Sequence, residues 1–249
     1  MKKIQLSFVA MLLLGAVACR KNSGTLPAVN NNNVSNAEAA SMVAGSVSLN
    51  SNGVANLAGD AALDATVIGR IPNACGTIRS DTLSRQSSAG ASVTYSYNLK
   101  YNYTVDCNTN SQPDSLSSTL TYSGSFSGPN LSSVNAGSSI FTVNGLLSTA
   151  TDFVINGEFK RTGSFSSKID TTNHGNSNID IVINSLTILK QSRSIVSGNA
   201  AISVTGDVPK KGSFSYTGTL VFNGNGTATL TLNGTVYIIN LNSGGYSRL

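Results

Sequence analysis

Residues 92–106 alternate without a break. Val93, Tyr95, Tyr97, Leu99, Tyr101, Tyr103 and Val105 fall on one side, and Ser92, Thr94, Ser96, Asn98, Lys100, Asn102, Thr104 and Asp106 on the other. A period of two held this long is a strand with one dry and one wet face, the pattern of an antiparallel sheet. Weaker versions predict strands at about 76–84, 116–127, 138–147, 150–166, 178–190, 194–205, 212–223, 226–232 and 235–241. The wet faces have abundant material: the chain holds 38 Ser, 23 Thr and 28 Asn in 249 residues. Only 11% of residues are charged, which excludes a coiled coil, and 40% are hydrophobic, enough to build a core.

Two Asn-Gly pairs test the strand reading. A two-residue turn at Asn233-Gly234 places Leu232 opposite Thr235, Leu230 opposite Tyr237 and Ala228 opposite Ile239, so one face stays apolar. The same operation at Asn156-Gly157 mixes the faces. A continuous strand instead gathers Phe153, Ile155, Phe159 and Phe165, with Gly157 as a gap or bulge. Gly-Ser-Phe-Ser recurs at 124–127, 163–166 and 212–215 without a fixed period, which reads as three similar strands, each with one inward Phe. Ahead of the strands, Ser35-x-x-Glu38 is a capping box that predicts a helix to about residue 49, and 54–68 reads as a second short helix. The expected fold is therefore mainly β. It is an antiparallel, meander-like sheet preceded by one or two short helices, and open barrel, curved sheet and sandwich all remain open.

The first residues carry an address. Lys2 and Lys3 precede an apolar run from Ile4 to Val17, then Ala16-Val17-Ala18-Cys19. The run is short for a membrane span and has the layout of a secretory signal. It resembles the lipobox signal of bacterial lipoproteins over about residues 1–20, with Ala16 where that family usually has Leu. The resemblance implies removal of residues 1–18, acylation of Cys19 and, with Arg20 rather than Asp next, a periplasm-facing anchor in the outer membrane. Ala16-Val17-Ala18 also suits an ordinary signal peptidase. Residues 19–34, with four consecutive Asn, read as an anchored tether, 35–70 as a helical segment and 71–249 as the β domain.

Cysteine arithmetic agrees. An oxidising compartment favours paired cysteines, and lipidation of Cys19 leaves Cys75 and Cys107 to form a disulfide. Folding 76–84 onto 92–106 with 75 opposite 107 centres the hairpin on Ala91, beside a suitable Ser-Ser-Ala-Gly turn. Without Lys2 and Lys3 the chain has 14 Lys and Arg against 11 Asp and Glu, a net +3, with Arg20 and Lys21 beside the anchor. No basic stripe interleaved with aromatics points to nucleic acid.

Candidate sites are sparse. His174, the sole histidine, sits in a polar turn, and no GxSxG elbow accompanies it. Asp152 and Glu158 share a face but lie about 20 Å apart along a strand, too far for a glycosidase pair. Asp106, Asn108, Asn110 and Asp114 resemble the start of a calcium loop, but Ser111 and Ser117 stand where Gly and Glu are needed, and a hairpin loop held by Asx turns is the simpler expectation. Tyr95, Tyr97, Tyr101 and Tyr103 form a row that is either core with hydroxyls at the rim or a face for a glycan or apolar ligand. Asp81-Thr82-Leu83, Asp114-Ser115-Leu116 and Asp170-Thr171-Thr172 resemble acceptors of an envelope O-glycosylation system. No cofactor is implied and no catalytic constellation is readable. The expectation is a lipid-anchored envelope protein with a non-enzymatic binding or structural role. The alternatives are an acyl-chain carrier in a half-barrel and a glycan-binding module.

Overall fold

A computed structural model describes residues 33–71 and 74–249. The signal, Cys19 and most of the tether lie outside the described residues. Two helices, α1 (Asn36–Val47) and α2 (Val54–Ile68), precede eleven strands. These are β1 (Ile78–Gln86), β2 (Thr94–Cys107), β3 (Pro113–Ser127), β4 (Leu131–Asn144), β5 (Asp152–Ser167), β6 (His174–Leu189), β7 (Ile195–Val208), β8 (Gly212–Phe222), β9 (Thr227–Leu232), β10 (Thr235–Asn240) and β11 (Tyr246–Arg248). They form one antiparallel sheet in which every strand pairs only with its neighbours in sequence, so the meander is open, with β1 and β11 at its edges.

Turn chemistry sets the registers. At Asn233-Gly234 both residues have positive φ, and Leu232–Thr235, Leu230–Tyr237 and Ala228–Ile239 are partners. β5 is continuous, with a bulge at Gly157. The β1–β2 register brings Cys75 and Cys107 together in a disulfide, Cα to Cα 5.6 Å. β4 begins at Leu131, earlier than its alternation suggests, and β11 was not anticipated.

One face of this sheet is apolar and wraps the helices. Phe126, Phe165 and Phe214 of the three Gly-Ser-Phe-Ser segments all point into the core. α1 is buried on all sides, ten of its twelve residues being inaccessible; its small Ala, Ser and Gly side chains let the sheet close around it. Its capping box forms as read, with Ser35 and Glu38 each receiving the other's backbone N–H. α2 buries one stripe, including Val54, Leu57, Ala61 and Ile68. The last strand is tied to the first helix: the Tyr246 hydroxyl donates to Ala37 O at 2.8 Å. The opposite sheet face is mostly small and polar, with Val134, Ile140, Val182 and Val221 exposed among the polar side chains. Asn98, Ser123, Ala136, Thr162, Asn178 and Thr205 lie side by side across six strands. That is the reverse of a membrane-spanning barrel, whose outer band is apolar.

Candidate functional site

The tyrosine row lies on the inner face of β2, under the helices. Tyr97 is 1% exposed and Tyr101 5%, while Tyr95 and Tyr103 are half-buried at the rim. The two buried hydroxyls have partners: Tyr97 accepts from Asn135 Nδ2 at 3.2 Å, and Tyr101 donates to Asp60 Oδ2 at 2.7 Å. Satisfied hydroxyls at the end of buried rings are how tyrosine serves a core. The concave side, which a carrier of acyl chains would hold open, contains α1 and α2.

Beneath those rings lies the one fully enclosed cation among the described residues. Arg161 shares the inner face of β5 with Phe159 and Phe165, and is 3% exposed. Its Nη1 donates to Gly45 O at 2.6 Å, and its Nη2 to Ser51 O and Asn52 O at 3.0 and 3.2 Å. Its Nε donates to Tyr122 Oη at 3.1 Å. The rings of Tyr97, Tyr122, Phe126 and Phe159 surround the guanidinium at 5.4–5.9 Å. A helix ends in carbonyls with no intrahelical donor and a partial negative charge. Arg161 satisfies those of the α1 end and the turn after it, a task that suits a planar fork of donors. The sequence signal was its parity with Phe159 and Phe165.

A polar cleft of about 140 Å³ opens where α2 meets β1 and β2. Asp60 Oδ1 pairs with Arg85 Nη2 at 2.8 Å, and its other oxygen takes the Tyr101 hydroxyl. Asp64 lines the same cleft. Burial, reinforced by the charges of Asp60 and Asp81 and opposed by Arg85, pushes its carboxyl up to about 6. The arrangement can keep a proton on Asp64 at mildly acidic pH. A larger, mostly apolar cleft of about 660 Å³ lies at the C-terminal end of α2, lined by Arg70 and Lys190 among others. Lys190 Nζ donates to Leu147 O at 2.7 Å and sits 5.0 Å above the Phe153 ring.

The comparisons are silent. No protein-family model, curated protein or solved structure matches this chain. Function therefore rests on the residues themselves.

The remaining sequence candidates are scattered. Asn108 Oδ1 accepts from the N–H of Asn110 and of Gln112, so it closes an Asx-type loop, and Asp106 accepts from Ser117 Oγ. Asp114 is exposed at the start of β3. Among the described residues no group of three or more His, Cys, Asp or Glu is placed to hold a metal ion. His174 is exposed but begins β6 rather than lying in the turn. Of the three glycan-acceptor matches, Thr82 and Thr171 are exposed and Ser115 is half-buried.

Proposed function

We propose that the protein is a lipid-anchored component of a bacterial cell envelope, facing the periplasm from the outer membrane, with a non-enzymatic structural or binding role. The observation that carries this reading is the Cys75–Cys107 disulfide, which leaves Cys19 as the odd cysteine directly after a short apolar leader. The filled concave face favours a structural body over a carrier. The covered Tyr97 and Tyr101 likewise draw support away from the tyrosine row as a glycan platform.

The test is metabolic labelling with palmitate together with Cys19→Ser. The expected outcome is a labelled wild type in the membrane fraction and an unlabelled, folded Cys19→Ser protein in the soluble periplasmic fraction. Two or three acyl chains hold a protein firmly where one does so only marginally. An unlabelled wild type with a free Cys19 thiol would leave simple secretion.

A further inference from the structure

Three side chains from distant parts of the chain meet at the N-terminal end of α1. Glu38 is 2% exposed and Asn173, in the turn between β5 and β6, 3%. Both carboxylate oxygens of Glu38 accept from Asn173 Nδ2, at 3.0 and 3.1 Å. Lys211 reaches in from the turn between β7 and β8. Its Nζ lies 2.5 Å from Asn173 Oδ1 and 2.7 Å from Thr172 Oγ1. The amide carbon is one C=O bond, about 1.2 Å, from Oδ1, so Nζ stands within about 3.7 Å of it. That is close to the separation of a near-attack pair.

We propose that Lys211 and Asn173 join in a self-catalysed amide crosslink. Lys211 gives up its ammonium proton through the Thr172 hydroxyl, 2.7 Å from Nζ and 2.6 Å from Asp170 Oδ1, and the freed amine attacks Asn173 Cγ, forming the Nζ–Cγ bond. In the tetrahedral adduct Nζ and Nδ2 share one carbon, and Glu38, already on Nδ2 at 3.0 and 3.1 Å, takes a proton from Nζ and delivers it to Nδ2. The Cγ–Nδ2 bond then breaks and ammonia leaves. One amide replaces another, so no oxidant, reductant or cofactor takes part.

Each partner has the chemistry its role needs. A carboxamide is a poor electrophile, and a buried carboxylate on its nitrogen supplies the proton relay that makes the amine a leaving group. Glu38 is itself held, by the backbone N–H and hydroxyl of Ser35 at 2.8 and 2.9 Å. The turns are held too: Asn173 N–H donates to Asp170 O at 2.9 Å and Lys211 N–H to Val208 O at 2.9 Å. The competing arrangement is a plain polar network, in which Lys211 stays an ammonium shared among Thr172, Asn173 and the Asp170 carboxylate 3.9 Å away. The two differ in covalent structure, so one measurement separates them. The crosslink would bind the turns at one end of the sheet, opposite the end closed by Cys75–Cys107, and would survive reductants.

The full chain should be purified, denatured, reduced and digested with trypsin. Crosslinking blocks cleavage after Lys211 and yields one branched peptide, Ile169–Lys190 joined to Lys211–Arg248, lighter by one ammonia than the sum of its parts. Lys211→Arg keeps a cation in place and should give only linear peptides. Glu38→Gln keeps the capping box, which accepts Gln as well as Glu, and should fold yet remain unlinked. A wild type that yields only the linear Ile169–Lys190 peptide, with Asn173 intact or hydrolysed to Asp, would overturn the proposal. A branched peptide persisting in Glu38→Gln would remove Glu38 as the proton carrier.

Discussion

The ring of Tyr97 lies over Gly124, its partner across β2 and β3, so closely that a Cβ on Gly124 would sit 2.4 Å from Tyr97 Cδ1. The same pairing of an inward ring with a glycine joins Tyr122 to Gly137, Phe141 to Gly157, Phe165 to Gly175 and Phe214 to Gly206. At Gly137 and Gly206, as at Gly124, an added Cβ would run into the partner's ring, whereas at Gly157 and Gly175 it would meet the backbone of Ile140 and Asp207. The missing side chains leave room for the sheet to bend round α1. Gly124→Ala is expected to destabilise the fold by about 1–3 kcal/mol through overpacking. The check is the urea unfolding midpoint; an unchanged midpoint would show that the Tyr97 ring and the β2 backbone at Ser96 both give way freely.

Replacing Arg161 leaves the carbonyls of Ser51 and Asn52 buried without that donor, while Gly45 O keeps the Ser51 hydroxyl. Arg161→Met, which keeps most of the volume, should cost roughly 3 kcal/mol or more, since each buried orphan acceptor costs about 1–3 kcal/mol. Arg161→Lys should recover only part of this, because an ammonium cannot match the planar fork. Equilibrium denaturation of the three proteins decides; a Met variant as stable as wild type would mean water or relaxation replaces the guanidinium.

Asp64 makes stability fall as pH rises through the mildly acidic range. Its carboxyl is held up to about 6 in the fold against 3.8 for the free group, so the folded state binds more protons between those values. The contribution is whole below about 3.8 and is lost as pH passes about 6. Discounted for partial exposure, it amounts to about 1 kcal/mol. Asp64→Asn should flatten the stability profile between pH 3.8 and about 6, the span set by those two values. Parallel wild-type and variant curves across that window would remove Asp64 as the group responsible.

Opening the Cys75–Cys107 disulfide, by Ser at both positions, releases a loop with a sequence separation of 32. The loss should be about 3–4 kcal/mol. It should be centred on β1, the edge strand with one neighbour, so hydrogen exchange in Ile78–Gln86 should speed up more than in β5 or β6.

Where strands turn their apolar side to the core without exception, the sequence alone was enough. β2, the Asn233-Gly234 hairpin and the Cys75–Cys107 register all follow from alternation and turn chemistry. The alternation starts β4 seven residues late because, after Leu131, its inward positions are Ser133, Asn135 and Gly137. These are small or polar so that Tyr97 and Tyr122 have room and a partner, and only the neighbouring strands reveal that need. Arg161 was legible as parity but not as purpose, because the carbonyls it serves are more than a hundred residues away in the chain. The Glu38–Asn173–Lys211 meeting was invisible for the same reason, although Glu38 was correctly placed in its capping box.

A chain made from its N-terminus produces α1 before any strand that buries it, and Tyr246 of β11, the last of those strands, follows Ala37 by 209 residues. α1 must wait as a short, weakly amphipathic segment with nothing to lean on, and isolated helices of that length are marginal in water. The meander can grow one hairpin at a time, each strand finding its partner next door, but enclosure of the helix finishes only with Tyr246. Synthesis that stops after β7 would thus yield a well-paired sheet around an unfinished centre. Until Tyr246 reaches Ser41 and Ala37, α1 stays open to proteases.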